Sequence, residues 1–211
     1  MKNIYTLTDC HRGADIWIVA AGPTMDYVSP EFFENKISIG VNQVSRKFKT
    51  TWLVRKESAL FDEARESGIP LIVSRYACGS YRKGLNPEGD YVFDHLDNSH
   101  KRVDLSVIDK KSDKIVVSYS TITSAIHIAA VMGAKNIILC GHDCSTLDGK
   151  ARMEGYNDPV AGGEEFYRRW LGEILPQTLA VREKIRTEYG CGIYSLIPFL
   201  GLAMEGHTIG D

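Results

Sequence analysis

Short apolar runs rich in β-branched residues alternate along this chain with segments of helical periodicity, the pattern of a parallel sheet whose strands are buried on both faces. The first run, Asp15-Ile16-Trp17-Ile18-Val19-Ala20-Ala21, stops at Gly22-Pro23 and predicts a strand followed by a tight turn. Ser29-Pro30-Glu31 starts a short helix, with Ser29 as N-cap and Pro30 at the first helical position. Lys36 to Val41 and Thr51 to Arg55 predict strands, Glu57 to Ser67 a helix closed by Gly68, and Ile69 to Ser74 a further strand. Regular order returns at Ile115-Val116-Val117, then a helix over Thr121 to Met132 that Gly133 stops, and a strand over Asn136 to Cys140. A long helix is expected from Glu164 to Tyr189, with Phe166, Trp170 and Ile174 on one face and a kink at Pro176. Gly192 to Ile197 reads as the last strand. The expected fold class is α/β, a mostly parallel sheet of about six or seven strands with helices on both faces.

Two stretches break the alternation. Residues 75–114 are rich in Gly, Asn, Asp, Ser and Tyr, and only Asp90 to Asp94 and Leu105 to Asp109 look strand-like. Residues 142–163 are irregular as well. Runs of this length inside a domain are usually functional, and the stretches Arg75 to Asp90 and His142 to Gly163 are expected to border a cleft and close over a ligand. With these two insertions, residues 1–211 read as a single domain, long enough for a substantial core.

Composition removes several classes of function. Lys and Arg total 25 against 27 acids, a net charge of −2, which gives no footprint for nucleic acid. Five scattered cysteines without a C-x-x-C spacing argue against a disulfide framework and for a reducing compartment. No signal peptide is visible after Met1-Lys2-Asn3, and no apolar run approaches the roughly 20 residues of a membrane span, so a cytoplasmic protein is expected.

Four segments fall at strand ends or helix starts, where open α/β sheets bind ligands. Gly22-Pro23-Thr24 follows the first strand, where backbone can approach a phosphate. Asn42-Gln43 follows the second; two amides there can donate and accept at once, which suits a nucleobase edge or a sugar hydroxyl, and a plain turn is the competing reading for Asn42. Ser118-Tyr119-Ser120-Thr121-Ile122-Thr123-Ser124 runs hydroxyls into a helix N-terminus, a favourable place for an anion, although one of them must cap the helix. Gly141-His142-Asp143 ends the strand over Asn136 to Cys140. The Asp143 carboxylate there could hold Mg²⁺, orient a ribose or act as a base, and His142 could titrate near neutral pH. Cys140, His142 and Cys144 lack a second ligand pair for zinc. His127, in an apolar helix, reads as a satisfied core residue.

With these segments in place, the chain resembles a Rossmann-like superfamily in which Gly-Pro-Ser-Leu follows the first strand, here Gly22-Pro23-Thr24-Met25. Its branches include bacterial lipooligosaccharide sialyltransferases with motility-associated glycosyltransferases, and the archaeal-type 6-hydroxymethylpterin diphosphokinases. Val41-Asn42-Gln43 is similar to the sialyltransferases' Asn-Gln after the second strand, and the stretch from Thr123 to Asp143 to the superfamily's helix-strand segment ending in Gly-x-Asp. The chain departs from the sialyltransferases at Ala21, where they place Asn, and has no His between Gly149 and Glu165, where they carry a catalytic one. The resemblance implies a nucleotide-sugar-dependent glycosyltransferase-like enzyme. Gly22, Pro23, Thr24, Asn42, Gln43, Thr123 and Ser124 would bind the nucleotide, and His142, Asp143 and Tyr156 would be the candidates for catalysis. The partners would be a nucleotide or nucleotide-sugar and a small-molecule or glycan acceptor, with self-association open. No cofactor is firmly implied; Asp143 would be the ligand if Mg²⁺ takes part. The alternatives are ATP-dependent diphosphoryl transfer and a catalytically silent nucleotide-binding module.

Overall fold

The computed structural model describes residues 1–56, 61–77, 85–86, 88–96, 103–144, 147–148, 150–156 and 170–196. Among the described residues eight parallel strands form one sheet: β1 (Lys2–Asn3), β2 (Asp15–Val19), β3 (Ile37–Val41), β4 (Trp52–Arg55), β5 (Leu71–Ser74), β6 (Tyr91–Phe93), β7 (Asn136–Cys140) and β8 (Gly192–Ser195). Their order across the sheet is β1-β6-β5-β4-β3-β2-β7-β8. The chain starts its main winding at β2, steps outward through β3 to β6, then returns to lay β7 on the other side of β2. The architecture is a doubly wound, Rossmann-like α/β fold.

The β-branched runs become strands because both faces are covered. One core joins Ile16, Ile18, Ile39, Val54 and Ile137 to α2 (Thr121–Val131) and α3 (Leu175–Tyr189). A second joins Val19, Leu53, Leu71 and Val73 to α1 (Phe61–Glu66) and to short 3-10 turns that carry Met25, Phe33 and Val44. Every residue of α2 is buried, since it lies between the sheet and α3. Any polar group on α2 must therefore find its partner inside the protein.

Most expected elements are present, and the short helix expected after Ser29 is a 3-10 turn, Pro30–Phe33, with Ser29 at its N-cap position but making no side-chain capping bond. Four differ. The sheet has eight strands because β1, two residues long, adds to β6. Leu105 to Asp109 is not a strand: Leu105–Val107 forms a 3-10 turn, capped by Asp104 Oδ1 accepting the Ser106 N–H at 2.9 Å. Ile115-Val116-Val117 is buried but outside the strands. Pro176 acts through a π turn, Trp170–Ile174, which widens the helix just before the proline and absorbs the ladder bond it cannot make. The expected start of that helix at Glu164, with Phe166, lies outside the described residues.

Candidate functional site

Parallel strands put the carboxyl ends of β2, β3, β4 and β7 on one edge, and the four segments singled out in the sequence meet there. Val19 is level with Gly40 of β3 and Cys140 of β7. Beyond them the Gly22 N–H donates to the Gly141 carbonyl at 2.8 Å. Gly22 is required by close approach, because a Cβ there would overlap Asp143 Oδ2 and the Gly141 carbonyl. Pro23 opens a 3-10 turn, Pro23–Tyr27, with Gly22 as its N-cap.

Asp143 is buried and holds Thr24 twice. The Thr24 N–H donates to Oδ2 at 2.9 Å and its hydroxyl to Oδ1 at 2.8 Å. Burial pushes the Asp143 carboxyl up, against the two Thr24 bonds that favour its charged form. Mg²⁺ would meet a carboxylate already engaged through both oxygens. Among the described residues no three His, Cys, Asp or Glu side chains come together to hold a metal ion.

Asn42 sits at the end of β3 in the left-handed region, with φ of 57°. Its N–H donates to the Val54 carbonyl at 3.2 Å, and its Oδ1 accepts the Thr121 hydroxyl at 3.2 Å. Thr121 is the first residue of α2, behind the N-cap Ser120, whose Oγ accepts the Ile122 N–H. Gln43 is buried beside it. The helix start and the strand end are thus joined by one side-chain bridge.

The hydroxyl run divides. Thr121 faces Asn42, while Thr123 and Ser124 turn inward. Ser124 Oγ donates to the Val116 carbonyl at 2.8 Å, and Thr123 Oγ1 bonds the Ser120 carbonyl and Ser118 Oγ at 2.9 and 2.8 Å. Both are fully buried, so the structure places neither at the edge where a ligand would sit.

His142 reaches α3 with one edge of its ring. Its Nε2 lies 3.0 Å from Thr178 Oγ1, whose own proton goes to the Ile174 carbonyl at 3.0 Å. Thr178 must therefore accept, which puts the imidazole proton on Nε2 and the lone pair on Nδ1. Burial, with the Arg152 charge, pushes His142 down to about 4, so the expected titration near neutral pH is displaced and the ring is neutral at pH 7. Cys144 packs beside it, its thiol pushed up to about 12 by burial and then by the Asp143 charge. Such a thiol is no nucleophile. Tyr156 packs against the second core, with the Arg152 guanidinium 5.5 Å from its ring centre. That core also takes Met153, whose N–H donates to the Ala21 carbonyl at 3.0 Å.

His127 is satisfied as expected. The Val116 N–H donates to Nδ1 at 3.1 Å, which leaves Nε2–H for the Tyr189 hydroxyl at 3.1 Å, and burial pushes the ring down to about 3. Two residues escaped the sequence reading. Lys56, directly after β4, is fully buried and donates to the carbonyls of Ser118 and, at 2.9 Å, Tyr119. Gln177 on α3 accepts the Tyr119 N–H through Oε1 at 3.1 Å. No local signal marks either one, since their partners lie far along the chain. In the first insertion, Arg75 is committed to Asp94 at 2.6 Å.

Compared with known proteins, the chain matches no family model and no curated sequence. Among solved structures it is similar to the sialyltransferase CstII from Campylobacter jejuni, in complex with a substrate analogue, cytidine-5'-monophosphate. The sequences are 12% identical, the similarity covers 95% of this chain and 89% of that one, and the TM-score is 0.48. No helix among the described residues is long and apolar enough to cross a membrane.

Proposed function

We propose that the protein binds a nucleotide-sugar at the carboxyl edge of its sheet and transfers the sugar to a hydroxyl acceptor. The observation that carries this reading is the Asn42–Thr121 bridge. It fixes an amide at the end of β3 against a helix N-terminus, so that Asn42 Nδ2 can donate to a base or sugar beside the helix amides. The Gly22-Pro23-Thr24 turn, held by Asp143, forms the opposite side of the same edge. The sequence resemblance of these segments to the glycosyltransferase branch points the same way.

His142 is the proposed base. Its proton is on Nε2 and given to Thr178, and the neutral ring carries its lone pair on Nδ1, 4.0 Å from the Cys144 sulfur, which the acceptor hydroxyl would displace as Nδ1's partner. The acceptor O–H would pass its proton to Nδ1 as the oxygen bonds the anomeric carbon. The bond from that carbon to the phosphate oxygen breaks at the same time, and its electron pair leaves with the nucleotide. Asp143, bonded through both oxygens, is a positioning residue for the Gly-Pro-Thr turn in this scheme.

Thermal-shift titration with CMP, CDP, UDP, GDP and ATP, with and without Mg²⁺, tests the reading. A ligand at 100 times its Kd adds about 2.7 kcal/mol of stability. Stabilisation by a pyrimidine nucleotide without metal is expected, and Asn42→Ala should weaken it by about 1–3 kcal/mol. Stabilisation by ATP with Mg²⁺ alone would favour diphosphoryl transfer, and no response to any nucleotide would overturn the site.

A further inference from the structure

A lysine is among the least often buried residues, and its amine is left in the interior only where fixed oxygens receive it. Lys56 is 1% exposed. It follows β4 directly, two strands away from the Gly22 turn, and its side chain crosses toward the start of α2. There its amine donates to two consecutive carbonyls, Ser118 and Tyr119. The other end of the residue is held too: the Lys56 carbonyl lies 3.2 Å from the Asn86 amide, which also bonds Ser74, and 3.1 Å from the Ser74 hydroxyl, whose proton is shared with the Tyr76 carbonyl at 2.7 Å. Lys56 is thus a strut fixed on β5 and its neighbour and bearing on the loop that leads into α2.

Two carbonyls drawn toward one amine turn the peptide planes of that loop, and the N–H groups on their other side turn with them. The Tyr119 N–H goes to Gln177 on α3, and the Ser120 N–H to Ser118 Oγ at 3.2 Å. The next residue is Thr121, which makes the bridge to Asn42. We infer that Lys56 is the positioning residue of the nucleotide site: it sets the 118–121 loop so that Thr121 and the first amides of α2 face Asn42. The inference rests on the function proposed above. Lys56 touches no ligand in it and acts only through the loop.

Lys56→Met keeps the aliphatic volume and removes the amine. Nucleotide affinity, measured by calorimetry at matched folded fraction, is expected to fall about tenfold or more. Native-state hydrogen exchange of Tyr119, Ser120, Thr121 and Ile122 should quicken by about tenfold, while Asp9 and His11 at the far end of the sheet stay unchanged. A purely structural lysine would lower the melting temperature and leave affinity at matched folded fraction alone. Asn86→Ala, which removes one hold on the Lys56 carbonyl, should act in the same direction with smaller size, and it decides the matter if Lys56→Met does not fold. Wild-type affinity in both variants would overturn the inference and leave the proposed function standing. If the wild-type protein binds no nucleotide, the proposed function fails, and exchange alone decides on Lys56: faster exchange confined to 119–122 sustains its hold on the loop, and unchanged exchange removes it.

Discussion

At the amino end of the sheet the connections are tied by a run of main-chain bonds: Asp9 N–H to the Val131 carbonyl, His11 to Met132, Gly13 to Gly133 and Lys135 to Ala14, all between 2.8 and 3.0 Å. At the carboxyl end main-chain bonds such as Gly22 N–H to the Gly141 carbonyl are joined by a set of long-range side-chain ties: Thr24 with Asp143, Asn42 with Thr121, Lys56 with Ser118 and Tyr119, and Thr178 with His142. Main-chain ties tolerate most side chains. Side-chain ties bind particular residue types to particular places, and many of them are buried. The first end holds the fold, and the second writes a specific arrangement on top of it.

Acid is expected to have the largest effect, and it acts alike on His142 at the carboxyl end and His127 within α2. Both are held below the ordinary 6.5, at about 4 and about 3. Between pH 6.5 and those values the unfolded chain takes protons that the folded one refuses. Stability therefore falls as pH drops through this window, by about 1.4 kcal/mol per pH unit for each ring. Asp143, whose carboxyl is raised, acts with the opposite sign in the lower part of the window. Urea unfolding between pH 7 and 4.5 should show this slope, and His127→Gln and His142→Asn should each remove about half of it. A slope unchanged by either substitution would separate these rings from the acid sensitivity.

The next two effects contrast the ends directly. Gly22→Ala drives a Cβ into Asp143 and the Gly141 carbonyl and should cost about 3 kcal/mol. Gly13→Ala at the amino end, at φ of 77° with open space around it, should cost about 1 kcal/mol, from backbone conformation alone. Asp143→Ala leaves the Thr24 N–H and hydroxyl without their acceptor and should fall between them, at about 2 kcal/mol. Equal costs for Gly22→Ala and Gly13→Ala in chemical denaturation would erase the distinction.

The strands were legible because burial on both faces makes each one a continuous apolar run, and Gly22, Asn42 and Asp143 were legible because they stand where such runs stop. The failures share a cause. A hydroxyl at a helix start reads as facing outward, yet α2 is covered by α3, so Ser124 and Thr123 turn to carbonyls and hydroxyls inside. Nothing local marks Lys56 for burial, because the Ser118 and Tyr119 carbonyls that receive its amine come from more than 60 positions away. β1 has too few residues to show a period at all.

The place of β7 has a consequence for how the chain reaches its native state. β2 is paired on one side with β3, close in sequence, and on the other with β7, where Asn136 meets Asp15 across 121 positions. During synthesis at about 10 residues per second, one flank of the central strand stays without its neighbour for about 10 s. Its main-chain groups on that side are an open edge, able to pair with any extended segment nearby. The return that brings Asp143 beside Gly22 also makes this flank of β2 pair only after β3 to β6 have been made, so the candidate edge and a late step of folding come from one topological choice.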